Sequence, residues 1–216
     1  MLIKICGMRE DMNIQQVEKL NPDFMGFIFY EGSKRYVGKD FEKQKLSYLN
    51  AETKPVAVFV NELIHVVQKV IDQYDFQTIQ LHGSESPGYC ETFKNAGITV
   101  LKAFGIHYAF NWNTLGNYKD SCDYFLFDTS TKSHGGSGGK FDWKILNSYT
   151  LDIPFFLSGG IGIEDVNAIR FIKHPQLTGI DINSRFEFLP AMKDVHLLRE
   201  FMIGMRQDHE KDIVKI

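Results

Sequence analysis

The sequence of 216 residues has few cysteines and no paired cysteine motif. Cys6, Cys90 and Cys122 are widely spaced, so the chain shows neither a disulfide framework nor the CxxC pattern of a zinc site. The seven histidines are scattered along the chain without the short spacing of a transition-metal motif. We therefore expect free thiols and no bound metal.

Long hydrophobic runs and a strong charge of either sign are also missing. No apolar run approaches the roughly 18 residues that span a bilayer, and the start of the chain lacks the apolar stretch of a signal peptide. Lys and Arg total 24 against 27 Asp and Glu, a net charge of −3, which argues against a broad basic surface for nucleic acid. We expect a soluble, cytoplasmic protein that binds neither membranes nor nucleic acid.

Short apolar runs are abundant, and they alternate with amphipathic segments. Eight runs are mostly rich in Val, Ile and Phe without period-two alternation, which is typical of strands buried on both faces of a parallel sheet. These runs are residues 2–6, 24–29, 56–60, 76–81, 99–103, 124–127, 153–157 and 177–182. Helical patterns lie between them, clear in 62–74 and 164–172 and weaker in 108–118.

This order of elements predicts an α/β fold. Eight strand-helix units of about 27 residues each suit a single (β/α)8 TIM barrel with a closed parallel sheet over residues 1–216. No linker or composition shift marks a second domain. A doubly wound open sheet would give a similar string of elements and is the alternative.

Polar side chains interrupt the predicted strands near their carboxyl ends, where barrel enzymes place their active sites. Strand alternation puts Lys4 on the same face as Cys6. The other candidates at the strand ends are Gln80, His82, Asp128 and Asp181. A structural network, such as Lys4 paired with Asp181, is the alternative interpretation of these residues.

Two loops are predicted to bind a phosphate group. Gly159 and Gly160 follow the seventh strand, and Asn183 and Ser184 follow the eighth. In barrels these loops commonly bind phosphate, because glycines let backbone N–H groups approach the anion. A tight turn that needs positive φ would explain the glycines about as well.

Seven segments agree in order and spacing with one known family. They are Lys4 to Gly7, Gly26 to Phe29 with Ser33 to Val37, Val58 to Asn61, Gln80 to Gly83, Phe127-Asp128 with Gly135 to Gly138 and Phe141 to Trp143, Leu157 to Gly160, and Gly179 to Ser184. Together they resemble the N-(5'-phosphoribosyl)anthranilate isomerases of tryptophan biosynthesis. The resemblance implies a cofactor-free Amadori rearrangement of a small phosphosugar-anthranilate substrate to 1-(o-carboxyphenylamino)-1-deoxyribulose 5-phosphate.

The resemblance also implies roles for individual residues. Cys6 would be the general base, Asp128 the general acid, and Arg35 the ligand of the anthranilate carboxylate. Strands one and six lie three steps apart around an eight-stranded ring, so Cys6 and Asp128 would face each other across its mouth. A thiolate base needs nearby positive charge, for which Lys4 and the first helix N-terminus are candidates. The expected pocket residues are Lys4, His82, Asp181 and, in the long polar loop 129–140, Gly136.

Two other functions fit part of the sequence. A histidine-pathway phosphosugar isomerase would be expected to use two aspartates and to show half-barrel repetition, and neither is visible here. A non-catalytic barrel that binds a phosphorylated ligand at Gly159 would leave Cys6 and Asp128 without a task. The sequence departs from the family at Arg185, where a glycine is usual. For the oligomeric state we expect a monomer or a homodimer.

Overall fold

Eight parallel strands close into a barrel. A computed structural model describes residues 1–129 and 140–207. The barrel strands are β1 (Leu2–Ile5), β2 (Phe24–Ile28), β3 (Lys54–Phe59), β4 (Thr78–Leu81), β5 (Thr99–Ile106), β6 (Tyr124–Thr129), β7 (Phe155–Leu157) and β8 (Leu177–Ile182). Each strand pairs in parallel with the next, and β1 pairs with β8. This confirms the predicted closed barrel, and the open-sheet alternative is wrong.

Side chains of the strands fill two apolar layers. Phe24, Val58 and Leu126 point into the barrel and pack in an inner cluster. Residues of opposite parity, such as Phe27 and Phe127, belong to the larger cluster between the sheet and its surrounding helices. Because both faces are buried, apolar residues occur on both faces of the strands, which explains why the sequence lacks period-two alternation.

The connections of the described chain are partly α-helical and partly 3-10 helical. The α-helices are α1 (Asp11–Glu18), α2 (Ile64–Tyr74), α3 (Pro87–Asn95), α4 (Val166–Arg170) and α5 (Val195–Arg206). The 3-10 helices are Lys43–Tyr48, Trp112–Tyr118, Trp143–Ser148, Ile163–Asp165 and Ser184–Phe186. None of the helices within residues 1–129 and 140–207 has the length and apolar character that crossing a bilayer requires.

The connection between β5 and β6 differs from the predicted helix over 108–118. Strand β5 runs to Ile106, beyond its predicted end at residue 103, and the helical segment that follows begins only at Trp112. The Asn111 side chain accepts the N–H of Asn113 at 3.2 Å and starts a 3-10 helix instead. Trp112 then packs edge-on against Phe127 with 5.4 Å between ring centroids. Packing against the sheet thus decides the shape of this connection.

A short antiparallel hairpin, which the sequence analysis did not predict, follows β8. It consists of β9 (Glu187–Leu189) and β10 (Met192–Lys193). Its turn includes Ala191 at φ +68°, a left-handed conformation that is uncommon for a residue with a side chain. The Asp194 carboxylate then caps α5 by accepting the N–H groups of residues 196 and 197. The hairpin therefore carries two charged side chains, Glu187 and Lys193, back toward the end of β8.

Phe27 provides a test of the outer layer. It is fully buried and packs against the rings of Phe41 and Phe76 at centroid distances of 5.5 and 6.4 Å. Because Phe27→Ala leaves a cavity, we expect it to lower the free energy of unfolding by about 3–5 kcal/mol in urea titrations. Tyr108→Ala, at a side chain that is 96% exposed, should change this free energy by less than about 0.5 kcal/mol. Similar losses in the two variants would contradict this packing.

Candidate active site

The carboxyl ends of the barrel strands carry most of the predicted site residues. Cys6 follows β1, His82 follows β4, and Asp128 lies near the end of β6. Asp181 in β8 lies opposite Lys4 of β1 in the register of the sheet. Because parallel strands end at the same edge, these side chains surround the mouth of the barrel.

The Cys6 thiol occupies space that a glycine of the next strand leaves open. The Cys6 N–H donates to the carbonyl oxygen of Ile182 at 2.9 Å, which extends the contact between β1 and β8. A Cβ at Gly26 would lie 2.7 Å from the Cys6 Sγ and 3.2 Å from the Lys4 Nζ. Gly26 therefore determines where the thiol lies.

Lys4 and Asp181 form a buried ion pair at the base of this site. The Lys4 Nζ lies 2.7 Å from the Asp181 Oδ1, and the Ser158 hydroxyl donates to the Asp181 Oδ2 at 3.1 Å. The structural pairing that the sequence offered as an alternative is thus present. Lys4 also lies beside the Cys6 thiol, so the same ammonium group faces both side chains.

The ionisation of these groups follows from burial and from each other's charges. Burial alone lowers the pKa of Lys4, but Asp181 and Cys6 raise it by more, so Lys4 stays charged. Burial raises the pKa of Cys6 above its ordinary value, and the charges of Lys4 and Lys193 offset only part of this increase. The positive charge expected near Cys6 is therefore present, but the thiol form is favoured at neutral pH.

Asp128 contacts the imidazole of His82. The His82 Nε2 lies 3.3 Å from the Asp128 Oδ2, and the Asp128 Oδ1 accepts the N–H of Thr129 at 2.8 Å. On the other side of the ring, the Gln80 amide nitrogen lies 2.7 Å from the His82 Nδ1. The ring of His82 is thus held between the Gln80 amide and the Asp128 carboxylate. Gln80 and His82 thus share a face, as strand alternation predicted.

The glycines after β7 are required by a close approach of the chain to Asp128. Gly159 and Gly160 have φ angles of +94° and +67°. A Cβ at Gly159 would lie 2.9 Å from the Asp128 Oδ1 and 2.6 Å from the Thr129 nitrogen. The turn therefore accounts for these glycines, and phosphate binding by their N–H groups stays a prediction.

The loop after β8 has its polar groups engaged with neighbouring residues. The Asn183 Oδ1 accepts from the Lys193 Nζ at 2.6 Å, and Ser184 begins a short 3-10 helix. Arg185, the departure from the family pattern, donates to the Glu164 Oε1 at 2.7 Å. This arginine therefore connects the loop after β8 with the segment after β7.

Arg35 follows β2 and lies over the backbone beside Cys6. Its guanidinium forms a two-pronged ion pair with Glu187, in which Nε is 2.9 Å from both carboxylate oxygens and Nη2 is 2.7 Å from Oε2. A Cβ at Gly7 would lie 2.6 Å from the Arg35 Cδ, and Gly7 has a φ of +78°. Arg35 is thus at the mouth of the barrel, with one edge of its fork already paired.

Gly136, predicted to line the pocket, lies outside the described residues. Within residues 1–129 and 140–207, no group of three or more His, Cys, Asp or Glu side chains is arranged to hold a metal ion. The polar groups that do converge there are one thiol, one imidazole, two carboxylates and a lysine, which are Cys6, His82, Asp128, Asp181 and Lys4. Such a set can donate and accept protons on opposite sides of a bound molecule.

Comparison with known proteins decides the family. The family model described as N-(5'phosphoribosyl)anthranilate (PRA) isomerase matches residues 3–203. A protein from Parabacteroides distasonis named N-(5'-phosphoribosyl)anthranilate isomerase is 44% identical over 203 residues, which cover 94% of this chain and 92% of the relative. The chain belongs to the PRA isomerase family.

Solved PRA isomerase structures share the fold. The structure from Thermotoga maritima has a TM-score of 0.83 and 28% sequence identity, and the match covers 95% of this chain and 98% of that chain. A PRA isomerase in complex with reduced 1-(o-carboxyphenylamino)-1-deoxyribulose 5-phosphate has a TM-score of 0.80 and 26% identity, with the same coverage. The family resemblance of the sequence is thereby confirmed.

Two charged residues of this PRA isomerase were missed by sequence reasoning. Glu187 and Lys193 lie in the hairpin after β8 and contact the predicted site residues Arg35 and Asn183. The available signal was an acidic and a basic residue shortly after the last strand, where barrel loops contribute to active sites. The hairpin that buries them has no distinctive pattern, so the signal alone was weak.

Gly26 provides a test of the thiol position in PRA isomerase turnover. In Gly26→Ala the new methyl group would lie 2.7 Å from the Cys6 Sγ and therefore displaces it. A displacement of about 1 Å is expected to lower kcat by roughly 10²-fold. Gly88→Ala is the matched control, because no atom lies within 4 Å of a Cβ at that position. Steady-state kinetics of both variants check this expectation, and normal turnover in Gly26→Ala would contradict it.

Proposed function

We propose that Cys6 and Asp128 carry out the proton transfers of the Amadori rearrangement of N-(5'-phosphoribosyl)anthranilate. The chain is an isomerase of tryptophan biosynthesis, as its family membership establishes. A relative in the family binds reduced 1-(o-carboxyphenylamino)-1-deoxyribulose 5-phosphate, the reduced form of the expected product. The observation that carries the assignment is a thiol beside a buried ammonium group after β1, with a carboxylate on β6.

The reaction needs one acid and one base on the same sugar. Asp128 donates a proton to the ring oxygen, the bond between this oxygen and C1' breaks, and the nitrogen lone pair forms an imine cation. The Cys6 thiolate then removes the proton from C2', and the electrons of that bond neutralise the imine as an enolamine. The enolamine becomes the ketone when its C2' hydroxyl proton passes to the Asp128 carboxylate and the Cys6 thiol gives its proton to C1', which returns both groups to their starting states.

The neighbours of both groups suit these roles. Lys4 is charged and beside Cys6, so it stabilises the thiolate when the proton leaves. The His82 Nε2 lies 3.3 Å from one oxygen of Asp128 and the Thr129 N–H donates to the other, so the carboxyl group keeps one orientation. Preorganised donors of this kind contribute to catalysis because they need no rearrangement during the reaction.

We infer that the two anionic ends of the substrate bind on different loops. Arg35 binds the anthranilate carboxylate with its planar fork. N–H groups at Gly159 and Gly160, with Asn183 and Ser184, bind the phosphate. Lys4 and Asp181 face the ribose.

We also infer that the enzyme works without a cofactor or metal. Proton transfer between side chains and substrate is sufficient for the chemistry, since no electrons leave or enter the substrate overall. The expected setting is the cytoplasm, as a monomer or a homodimer.

Cys6→Ala and Asp128→Asn test the assignment directly. Each is expected to lower kcat by roughly 10² to 10⁴-fold while substrate binding survives, because each removes one proton-transfer group. Turnover is measured with phosphoribosylanthranilate formed in situ from anthranilate, by the change in anthranilate fluorescence. Near-normal turnover in either variant overturns its role. A wild-type protein that does not accelerate the uncatalysed decay would favour a non-catalytic binding barrel.

The pH dependence of thiolate absorbance tests the ionisation of Cys6. Because burial holds the pKa of the thiol above its ordinary value of 9.0, the thiolate fraction in the free enzyme grows as pH rises toward and past that value. The absorbance near about 240 nm of the wild-type protein, minus that of Cys6→Ala at the same pH, reports the Cys6 thiolate because every other group is shared. This difference is expected to stay small at neutral pH and to rise only at alkaline pH. A difference that is already complete below pH 7 would contradict the raised pKa.

A further inference from the structure

A second buried charge network adjoins Cys6, and none of its members transfers a proton in the proposed mechanism. We call it the Arg35 network: Arg35, Glu187, Lys193 and Asn183. It lies over the backbone of Gly7, where a Cβ would be 2.6 Å from the Arg35 Cδ and 2.8 Å from the Asn183 Oδ1. The network therefore borders the same mouth as the thiol.

Glu187 is the centre of this network. Its carboxylate accepts from Arg35 at 2.7 and 2.9 Å, from the Lys193 Nζ at 2.7 Å and from the Ala191 N–H at 3.1 Å. The side chain is only 4% exposed, so these contacts are shielded from water. Burial raises its pKa, but the two cations lower it by more, so the carboxylate stays ionised. The group is thus held in one orientation by donors on three sides.

Lys193 is held in place by contacts of both its side chain and its backbone. It is fully buried, and its ammonium bridges Glu187 and Asn183. Its backbone is held by the Asn13 side chain, which accepts the Lys193 N–H at 2.7 Å and donates to the Lys193 carbonyl at 3.0 Å. These contacts anchor Glu187 in a rigid part of the molecule, so Glu187 can hold Arg35 in a defined place.

The pairing with Glu187 uses one edge of the Arg35 guanidinium. Glu187 accepts from Nε and Nη2, which form the side edge of the fork. No acceptor for Nη1 is present within residues 1–129 and 140–207. An arginine fork has a second edge, formed by Nη1 and Nη2, that also matches a carboxylate with two hydrogen bonds. Arg35 is 12% exposed, so part of its side chain remains open to an incoming molecule.

We propose that Glu187 is a positioning residue for substrate specificity: it occupies the side edge of Arg35 and directs the outer edge at the carboxylate of the substrate. This inference rests on the proposed role of Arg35. Two cations and one anion leave the network with one unit of positive charge, which matches one substrate carboxylate. Without Glu187 the Arg35 guanidinium would no longer be held in one plane. Binding of the substrate carboxylate would then carry the entropy cost of ordering the Arg35 side chain.

Two stable probes separate positioning from a structural role. Reductive amination of ribose 5-phosphate with anthranilate gives a phosphoribityl-anthranilate, and the same reaction with aniline gives its counterpart without the carboxylate. Both carry the same phosphate and polyol, so they differ only in the group that Arg35 is proposed to bind. Their Kd values are measured by titration calorimetry with the full chain.

Glu187→Gln is expected to weaken the anthranilate probe by roughly tenfold and to change the aniline probe by less than about twofold. Glu31→Gln is the matched control, because this exposed carboxylate follows the same strand as Arg35 and pairs with Lys39. It should change both affinities by less than about twofold. Equal weakening of the two probes in Glu187→Gln would assign Glu187 a structural role and overturn the proposal, as would an unchanged affinity for both.

A second variant is used if Glu187→Gln, which removes the carboxylate beside the buried Lys193 ammonium group, fails to fold. Glu187→Asp keeps a carboxylate beside Lys193 but shortens the side chain by one methylene group, so the two-pronged contact with Arg35 is expected to be lost while no buried ammonium group is left unpaired. The same selective loss of the anthranilate probe is expected, and an unselective loss overturns the proposal. Arg35→Ala tests the proposed role of Arg35 by itself. If this variant weakens both probes equally, Arg35 does not bind the substrate carboxylate, and the proposal for Glu187 fails with it. Wild-type turnover of phosphoribosylanthranilate tests the reaction itself independently.

Discussion

The pairing of β1 with β8 closes the sheet and puts Lys4 opposite Asp181. In this register the ammonium and carboxylate groups are 2.7 Å apart, and both are almost completely buried. Breaking such a pair would leave a charge unpaired in a low dielectric, which is strongly unfavourable. The same register brings Lys4 beside the Cys6 thiol. Closure of the barrel and the electrostatic environment of the thiol thus depend on one contact.

Glycines make room for the reactive and binding groups around this contact. A Cβ would lie within 3 Å of the Cys6 thiol at Gly26, of the Asp128 carboxylate at Gly159 and of the Arg35 side chain at Gly7. Each of these glycines lies in or directly after a barrel strand, so the backbone itself forms the wall of the site. Side chains on neighbouring strands can then approach each other more closely than ordinary packing would allow.

Charge is distributed unevenly over the molecule. The chain has a net charge of −3, yet the buried ion pairs on the side of the mouth formed by β1, β2 and β8 join three cations to two anions. The cations are Lys4, Arg35 and Lys193, and the anions are Asp181 and Glu187. All of these groups are paired, so their positions are defined by several contacts at once. A local excess of positive charge in a partly buried site attracts an anionic substrate more effectively than a diffuse surface charge.

The eight strands can be predicted from the amino-acid sequence alone, and so can the location of Lys4, Cys6, His82, Asp128 and Asp181 near their carboxyl ends. Hydrophobic runs and strand alternation are local properties, and parallel strands all end at one edge, so the residues at that edge can be read from the chain. Two other features depend on tertiary contacts: the connection after β5 is a 3-10 helix, and Arg35 pairs with Glu187. These two residues are 152 positions apart, and no periodicity links them. Their contact exists because closure of the barrel brings the hairpin after β8 against the loop after β2.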